Sequence, residues 1–240
     1  MKRALKLAAV STVVYVGAAS AAYSWFVAQK SAPKEGGHQA PFERLAPTYD
    51  ARMDQEEGRV GMAALRRRVA LRARGNVIEV AAGTGRNLSM LPSPPMCTSL
   101  TAVESSSAMV DVLKAKASGS GVLVPVTVVQ ADAAHLPLAD ASFDTGMETF
   151  GLCSYEAPVA ALKELARVVK PGGQLLLLEH GRSRYWLVSK YLDWQAAGHK
   201  RSWGCDFNRD IGALVREAGL TIVEHEEHHL GTTHLIVVQL

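Results

Sequence analysis

The stretch NVIEVAAGTGRNLSML, residues 76–91, decides the fold. Val77, Ile78 and Val80 form a short β-branched run that reads as a buried strand, and Gly83-Thr84-Gly85 breaks it ahead of a helix predicted to begin near Asn87. Glycine admits backbone angles closed to other residues and lets a ligand approach the main chain, while a helix amino terminus offers free N–H groups. Strand, glycine turn and helix together read as a ligand cradle.

The other loop residues narrow the choice of ligand. A phosphate loop requires Lys-Ser or Lys-Thr after its last glycine, where Arg86-Asn87 stand. A dinucleotide fingerprint requires a third glycine at the place of Leu88. Glu79 puts a carboxylate at the strand end, which repels an anion and suits a cation. A nucleoside with a positively charged tail meets these conditions.

Downstream, strands are predicted at residues 100–104, at 122–130 entered at Pro125, at 143–150 and at 174–178. Helices are predicted at 107–117, with Ser105, Ser106 and Ser107 as cap candidates, and at 157–169. Upstream, residues 56–74 read as an amphipathic helix rich in arginine. Further strands, 220–224 and 235–240, are joined through Gly231. Such alternation implies a parallel sheet covered on both faces, with ligands at the carboxyl ends of its strands. Those ends carry Glu79, Glu104, Asp132 and Glu179. Glu104 lies 19 residues past Gly85, about the spacing at which a carboxylate holds two ribose hydroxyls.

The chain has 240 residues, enough for one domain plus an extension. Residues 1–40 hold five basic residues against Glu35, a net of +4, leaving 21 basic against 22 acidic residues in 41–240. The folded part is not basic, which disfavours a nucleic-acid substrate. After a basic amino terminus, residues 1–6, no charge appears in 7–29. As a helix that run would be roughly 34 Å long, enough for one membrane span. Lys2 and Arg3 with Ala19-Ser20-Ala21 also resemble a cleaved secretory signal, but the apolar run continues past that site through Trp25 and Phe26. The lack of any acid before Glu35 suits a mitochondrial address. Residues 30–41 read as a linker and 42–240 as the folded domain. Cys97, Cys153 and Cys205 are far apart and odd in number, suggesting buried small residues and neither a disulfide framework nor a zinc site.

VIEVAAGTGRN, LTAVE, QADAAHLPLADASFDTG and LARVVKPGGQLLLLEHG together resemble the class I S-adenosylmethionine-dependent methyltransferases. The likeness is greatest to the branch that includes the ubiquinone and menaquinone C-methyltransferases, through LPLADASFD and the entry segment LAPTYD. ETFGLCS, LEHGRS, WGCDFNRDIG and HLGTT resemble, more narrowly, the membrane-anchored mitochondrial methyltransferases first described as suppressors of oxidase-assembly mutants. Mammalian methyltransferase-like proteins that methylate thiols look like more distant relatives. The resemblance implies a Rossmann-like, doubly wound α/β sheet of seven strands with the last strand antiparallel. It also implies an inner-membrane anchor at the amino terminus.

Carried over to this sequence, the resemblance sets Gly83 and Gly85, with Asn87 beyond them, against the methionine part of S-adenosylmethionine, with Ala81 where the family has a glycine. It implies that Glu79 balances the ammonium, Glu104 holds the ribose, Asp132 and Ala133 meet the adenine, Tyr49 closes over the methionine end, and Thr149 and Phe150 border the methyl group. Methyl transfer needs positioning and exclusion of water, and a base only for an acceptor that must lose a proton. His180 is the first candidate base and His199 the second, although a lone histidine is more often a structural hydrogen-bonding residue.

Trp186, Trp194 and Trp203 fall between the fifth and sixth strands, where this fold builds its acceptor pocket, and suggest an apolar or lipid-like acceptor: a thiol, a phenol or a quinone-type molecule. Leu187, Tyr191 and Trp194 share one helical face, which reads as core. Asn208 is a cap candidate for a helix at 211–218. His225, His228, His229 and His234 match no metal-ligand spacing, and a solvated hairpin is the simpler reading. Two other functions fit less of the sequence: an assembly factor contacting respiratory-complex partners without turnover, and a nicotinamide-dependent oxidoreductase.

Overall fold

The computed structural model describes residues 40–119 and 121–240. The predicted span at 7–29 lies outside them; among the described residues no helix is long and apolar enough to cross a membrane. Helix α1 (Ala40–Leu45) starts inside the predicted linker, and a single 3₁₀ turn leads to α2 (Tyr49–Val60) and α3 (Met62–Ala70). The single helix expected at 56–74 is therefore two. Gly61, at φ 72°, ends one and opens the next in the left-handed region that glycine tolerates.

The strands are β1 (Gly75–Val80), β2 (Cys97–Glu104), β3 (Val126–Gln130), β4 (Phe143–Thr149), β5 (Val169–His180), β6 (Ile222–His228) and β7 (Thr233–Gln239). They form one sheet in the order β3-β2-β1-β4-β5-β7-β6, with β7 antiparallel to both neighbours. Between them lie α4 (Ser107–Ala117), α5 (Pro158–Val168), α6 (Trp186–Trp203) and α7 (Ile211–Glu217). The predicted bounds of α4 are met, because the Ser106 side chain accepts the Met109 N–H and fixes the first turn. The third strand is shorter than expected and starts only after Pro125.

Strand alternation sorts side chains into two cores. Val77, Ala102, Met147, Leu176 and Leu178 pack with Val69, Ala70 and Leu113 on one face. Ile78, Val80, Val103, Leu175 and Leu177 pack with Leu162, Leu165, Ile211 and Val215 on the other. Both faces are covered, which is why the strands read as nearly unbroken apolar runs. In register, Val80 sits beside Val103 and Glu148, and Thr149 beside Leu178, so the strands end along one edge of the sheet.

The helix expected at Asn87 does not form. Turns run through the glycine segment to one 3₁₀ turn, Leu88–Met90, because the Asn87 side chain is drawn into the buried core of the site. The α6 face expected to be core is instead exposed at Leu187, Tyr191 and Trp194, and Trp186 is exposed beside it in sequence. Asp210, and not Asn208, caps α7 by accepting the Ala213 N–H; Asn208 donates to Asp193.

Candidate functional site

A cavity of about 480 Å³ opens at the carboxyl edge of β1, β2 and β4. Of the predicted residues it is lined by Tyr49, Ala81, Gly83, Glu104, Asp132, Ala133, Thr149 and Phe150. Phe42, Met109, Ser154 and Tyr155 also line it, residues that sequence reasoning passed over. Ala81 stands at φ 50° and Phe150 at φ 62°, left-handed values that cost non-glycine residues of order 1–2 kcal/mol each. Both strained residues face the cavity.

Gly83 donates its N–H to Glu104 Oε2 at 2.9 Å, and Ser105 and Ser106 donate theirs to Oε1 at 2.9 Å. Burial raises the Glu104 carboxyl above its ordinary value, against these three donors. A side chain at Gly83 would meet nothing closer than Ala81 O at 4.0 Å, so the space above this glycine is open. Asp132 lies at the exposed rim and accepts the Ala134 N–H at 3.0 Å.

Behind the cavity wall lies a buried polar layer. Glu79 accepts from Asn87 Nδ2 at 2.6 Å, and Asn87 Nδ2 also reaches Thr149 Oγ1 at 2.9 Å. Burial pushes the Glu79 carboxyl up to about 7, and its Oε2 has no hydrogen-bond partner. Arg66, missed from sequence because it sits in an arginine run, is buried here. It donates to Thr149 at 2.8 Å and to both Glu57 oxygens, and its guanidinium lies 4.7 Å from the Phe150 ring centre. Gly85 lies outside the lining; its missing side chain makes room for Leu88 and Leu113, each 2.7 Å from where a Cβ would stand.

Helix α2 closes over the glycine turn. Asp50 accepts from Thr84 at 2.6 Å and pairs with Lys116, while Arg86 reaches Asp54 at 2.9 Å and Glu57 at 3.2 Å. Tyr49 is thereby held over the cavity, its hydroxyl pushed up to about 12 by burial.

Neither candidate base lines the cavity. His180 lies behind Phe150, ring centres 4.3 Å apart. His199 packs against Phe207 at 4.3 Å, and burial lowers it to about 4. Cys153 and Cys205, distant in sequence, come together beside His180. On the far hairpin His225 Nε2 and His234 Nδ1 are 2.9 Å apart, and His229 leaves the strand to reach Val60 O at 2.8 Å.

The arrangement fits S-adenosylmethionine on its own geometry. The open space over Gly83 admits a ligand backbone, Glu104 faces the cavity as an acceptor for hydroxyls, and the orphaned Glu79 oxygen lacks a hydrogen-bonding partner. Residues 78–177 match the model of a family described as a methyltransferase domain. The mitochondrial methyltransferase OMS1 of Saccharomyces cerevisiae is 33% identical over 213 residues, which cover 82% of this chain and 45% of that protein. The ubiquinone/menaquinone biosynthesis C-methyltransferase UbiE of Pseudomonas savastanoi pv. phaseolicola is 36% identical over 160 residues, 63% of this chain and 61% of that protein. The chain thus spans about half the length of these curated relatives. A solved S-adenosylmethionine-dependent methyltransferase from Thermotoga maritima shares the fold with a TM-score of 0.62 at 23% identity, over 83% of this chain and 98% of that one. With this sheet order, this cradle and these relatives, the chain carries a methyltransferase domain on the class I S-adenosylmethionine-dependent fold and is similar to OMS1 and UbiE.

Proposed function

We propose that the chain methylates a small or lipid-like acceptor, a thiol, phenol or quinone-type molecule, while tethered to the mitochondrial inner membrane by residues 7–29. The observation that carries this reading is the continuity of one cavity from Gly83 and Glu104 past Thr149 and Phe150 to Ser154 and Tyr155. One end suits the cofactor and the other is free for an acceptor. The mitochondrial address rests on the likeness to OMS1, and the tether on the uncharged run in the sequence.

When bound, S-adenosylmethionine supplies a methyl group already activated on a sulfonium. In this reading Glu79 balances the ammonium, Glu104 holds the ribose hydroxyls, and Asp132 and Ala133 border the adenine. Tyr49 and α2 exclude water, and Phe150, held in place by Arg66 and His180, shapes the methyl end. His180 would reach an acceptor proton only past Phe150, so Tyr155, already in the lining, is the nearer hydrogen-bonding group.

Calorimetric titration of the full chain in detergent with S-adenosylmethionine and with its demethylated product tests the cofactor site. Micromolar binding that Glu104→Ala abolishes is expected, followed by turnover of a thiol or quinone precursor. A folded chain that binds neither compound overturns the reading. The exposed aromatics of α6 support a second reading, an assembly factor that docks on respiratory-complex partners. That reading gains if biological function survives Glu104→Ala in a folded chain.

A further inference from the structure

Cys153 follows β4 by four residues, His180 ends β5, and Cys205 follows α6. The sheet register brings the first two together, since Thr149 lies beside Leu178. The third is brought in by two backbone staples: Asp206 N–H donates to Cys153 O at 2.7 Å, and Arg209 Nη1 donates to Leu152 O at 2.6 Å. The two sulfurs and a ring nitrogen of His180 consequently lie within 4.8 Å of one another, with both thiols buried.

Two thiols and an imidazole converging on one point are the donor set of a borderline-soft metal ion. Zinc is held by sulfur at about 2.3 Å and by nitrogen at about 2.0–2.1 Å, with tetrahedral geometry that sets neighbouring donors between 3 and 4 Å apart, roughly within the present spread. A second observation points the same way. Glu179, next to His180 and fully buried, has an oxygen, Oε2, with no hydrogen-bond partner, and its carboxylate is close enough to interact electrostatically with both thiols. A buried carboxyl oxygen left without a partner beside two thiols and an imidazole marks a polar cluster that a bound cation would complete. A disulfide would need only the two sulfurs and gives no account of the imidazole.

We propose that Cys153, His180 and Cys205 form a zinc site, one coordination position being left for water or an added ligand. Binding replaces two S–H bonds by two sulfur–metal bonds and releases two protons to solvent, with no change of oxidation state. The ion ties the loop after β4 to the end of β5 and to the α6–α7 connection. It also holds the His180 ring against Phe150 and so fixes the cavity wall from behind. His180 is then a ligand and not a free base.

The test is metal loading of the full chain, stripped with chelator under reducing conditions in detergent and titrated with cobalt(II) as a spectroscopic probe for zinc. One cobalt per chain is expected, with tetrahedral ligand-field bands and a sulfur-to-cobalt charge-transfer band, all displaced by zinc. Cys153→Ser and Cys205→Ser should each remove that charge-transfer intensity or weaken binding by more than about tenfold, while Cys97→Ser leaves it unchanged. The wild-type spectrum stands as a test even if a variant fails to fold. Absence of a thiolate–cobalt band in folded, reduced protein overturns the site, as does a band of undiminished intensity and affinity in Cys153→Ser. A Cys153–Cys205 disulfide in a chain that, once reduced, ignores cobalt would replace it with a redox pair.

Discussion

Helices α2 and α6 both flank the sheet, but they are held in opposite ways. Helix α2 buries only Glu57 and is tied down by charge, through Asp50, Asp54 and Glu57 to Lys116, Arg86 and Arg66. Helix α6, eighteen residues long, buries only Ser189, Leu192 and Gly198 and turns large apolar side chains outward. The first is a lid whose partner is the chain itself. The second presents an apolar surface that nothing among the described residues covers.

The largest expected effect is on the charged lid. Arg66→Ala removes a buried guanidinium from Glu57, Thr149 and Phe150 at once. Breaking a buried pair costs about 3–5 kcal/mol, and the lower end applies because Arg86 still reaches Glu57 at 3.2 Å. Urea unfolding should show a loss of about 3 kcal/mol, together with weakened cofactor binding. An unchanged midpoint would mean that the network contributes nothing to stability.

Gly151→Ala tests the cavity wall beneath that lid. A Cβ there would overlap Glu148 Oε1 and stand 2.8 Å from both Ala81 Cβ and Tyr155 Oη. Ala81 is itself strained and Glu148 is wholly buried, so neither neighbour can give way easily. Overpacking of this kind costs about 1–3 kcal/mol, and cofactor affinity should fall with it in the same calorimetric titration.

These residues also mark what the sequence could and could not disclose. The glycine turn, Glu104 and α4 were legible because strand period, acid spacing and a serine cap are local signals. Helix α2 was not, since its hold depends on Arg66 and Arg86, whose partners are fixed only once the chain folds back. The failed helix after Asn87 has the same origin: a polar side chain is recruited by Glu79 and Thr149 from other strands. The i, i+4, i+7 pattern of α6 located a face correctly but could not tell what the face meets. The convergence of Cys153 and Cys205 needed the β4–β5 register.

Glu79 predicts a pH dependence with a definite sign. Its folded value is raised to about 7 from an ordinary 4.5, so the cofactor-free protein holds a proton there up to neutral pH. Ionising it in this buried position costs stability, which declines as pH rises from about 4.5 to 7. Balancing an ammonium requires the ionised form, so cofactor affinity should weaken below pH 7 by about tenfold per pH unit. Titrations at stepped pH check this, and Glu79→Gln should flatten the profile.

The smallest effect on stability is expected at α6, and it separates the two regions most cleanly. Trp186 is 68% exposed and Trp194 55% exposed, so replacing both by alanine should shift the unfolding free energy by no more than about 0.5 kcal/mol. If the face lies on a bilayer, these indoles sit at its interface, where aromatic rings are favoured. Helix α1 contacts α6, and Arg44 Nη2 donates to Ser202 O at 3.4 Å, near the carboxyl end of the helix that carries this face. Full chain reconstituted in vesicles containing brominated lipid, with Trp25→Phe to silence the tether, should show quenching of indole fluorescence that Trp186→Ala and Trp194→Ala remove. Quenching that is absent from the start would turn the face toward a protein partner, and a large loss of stability would return it to the core.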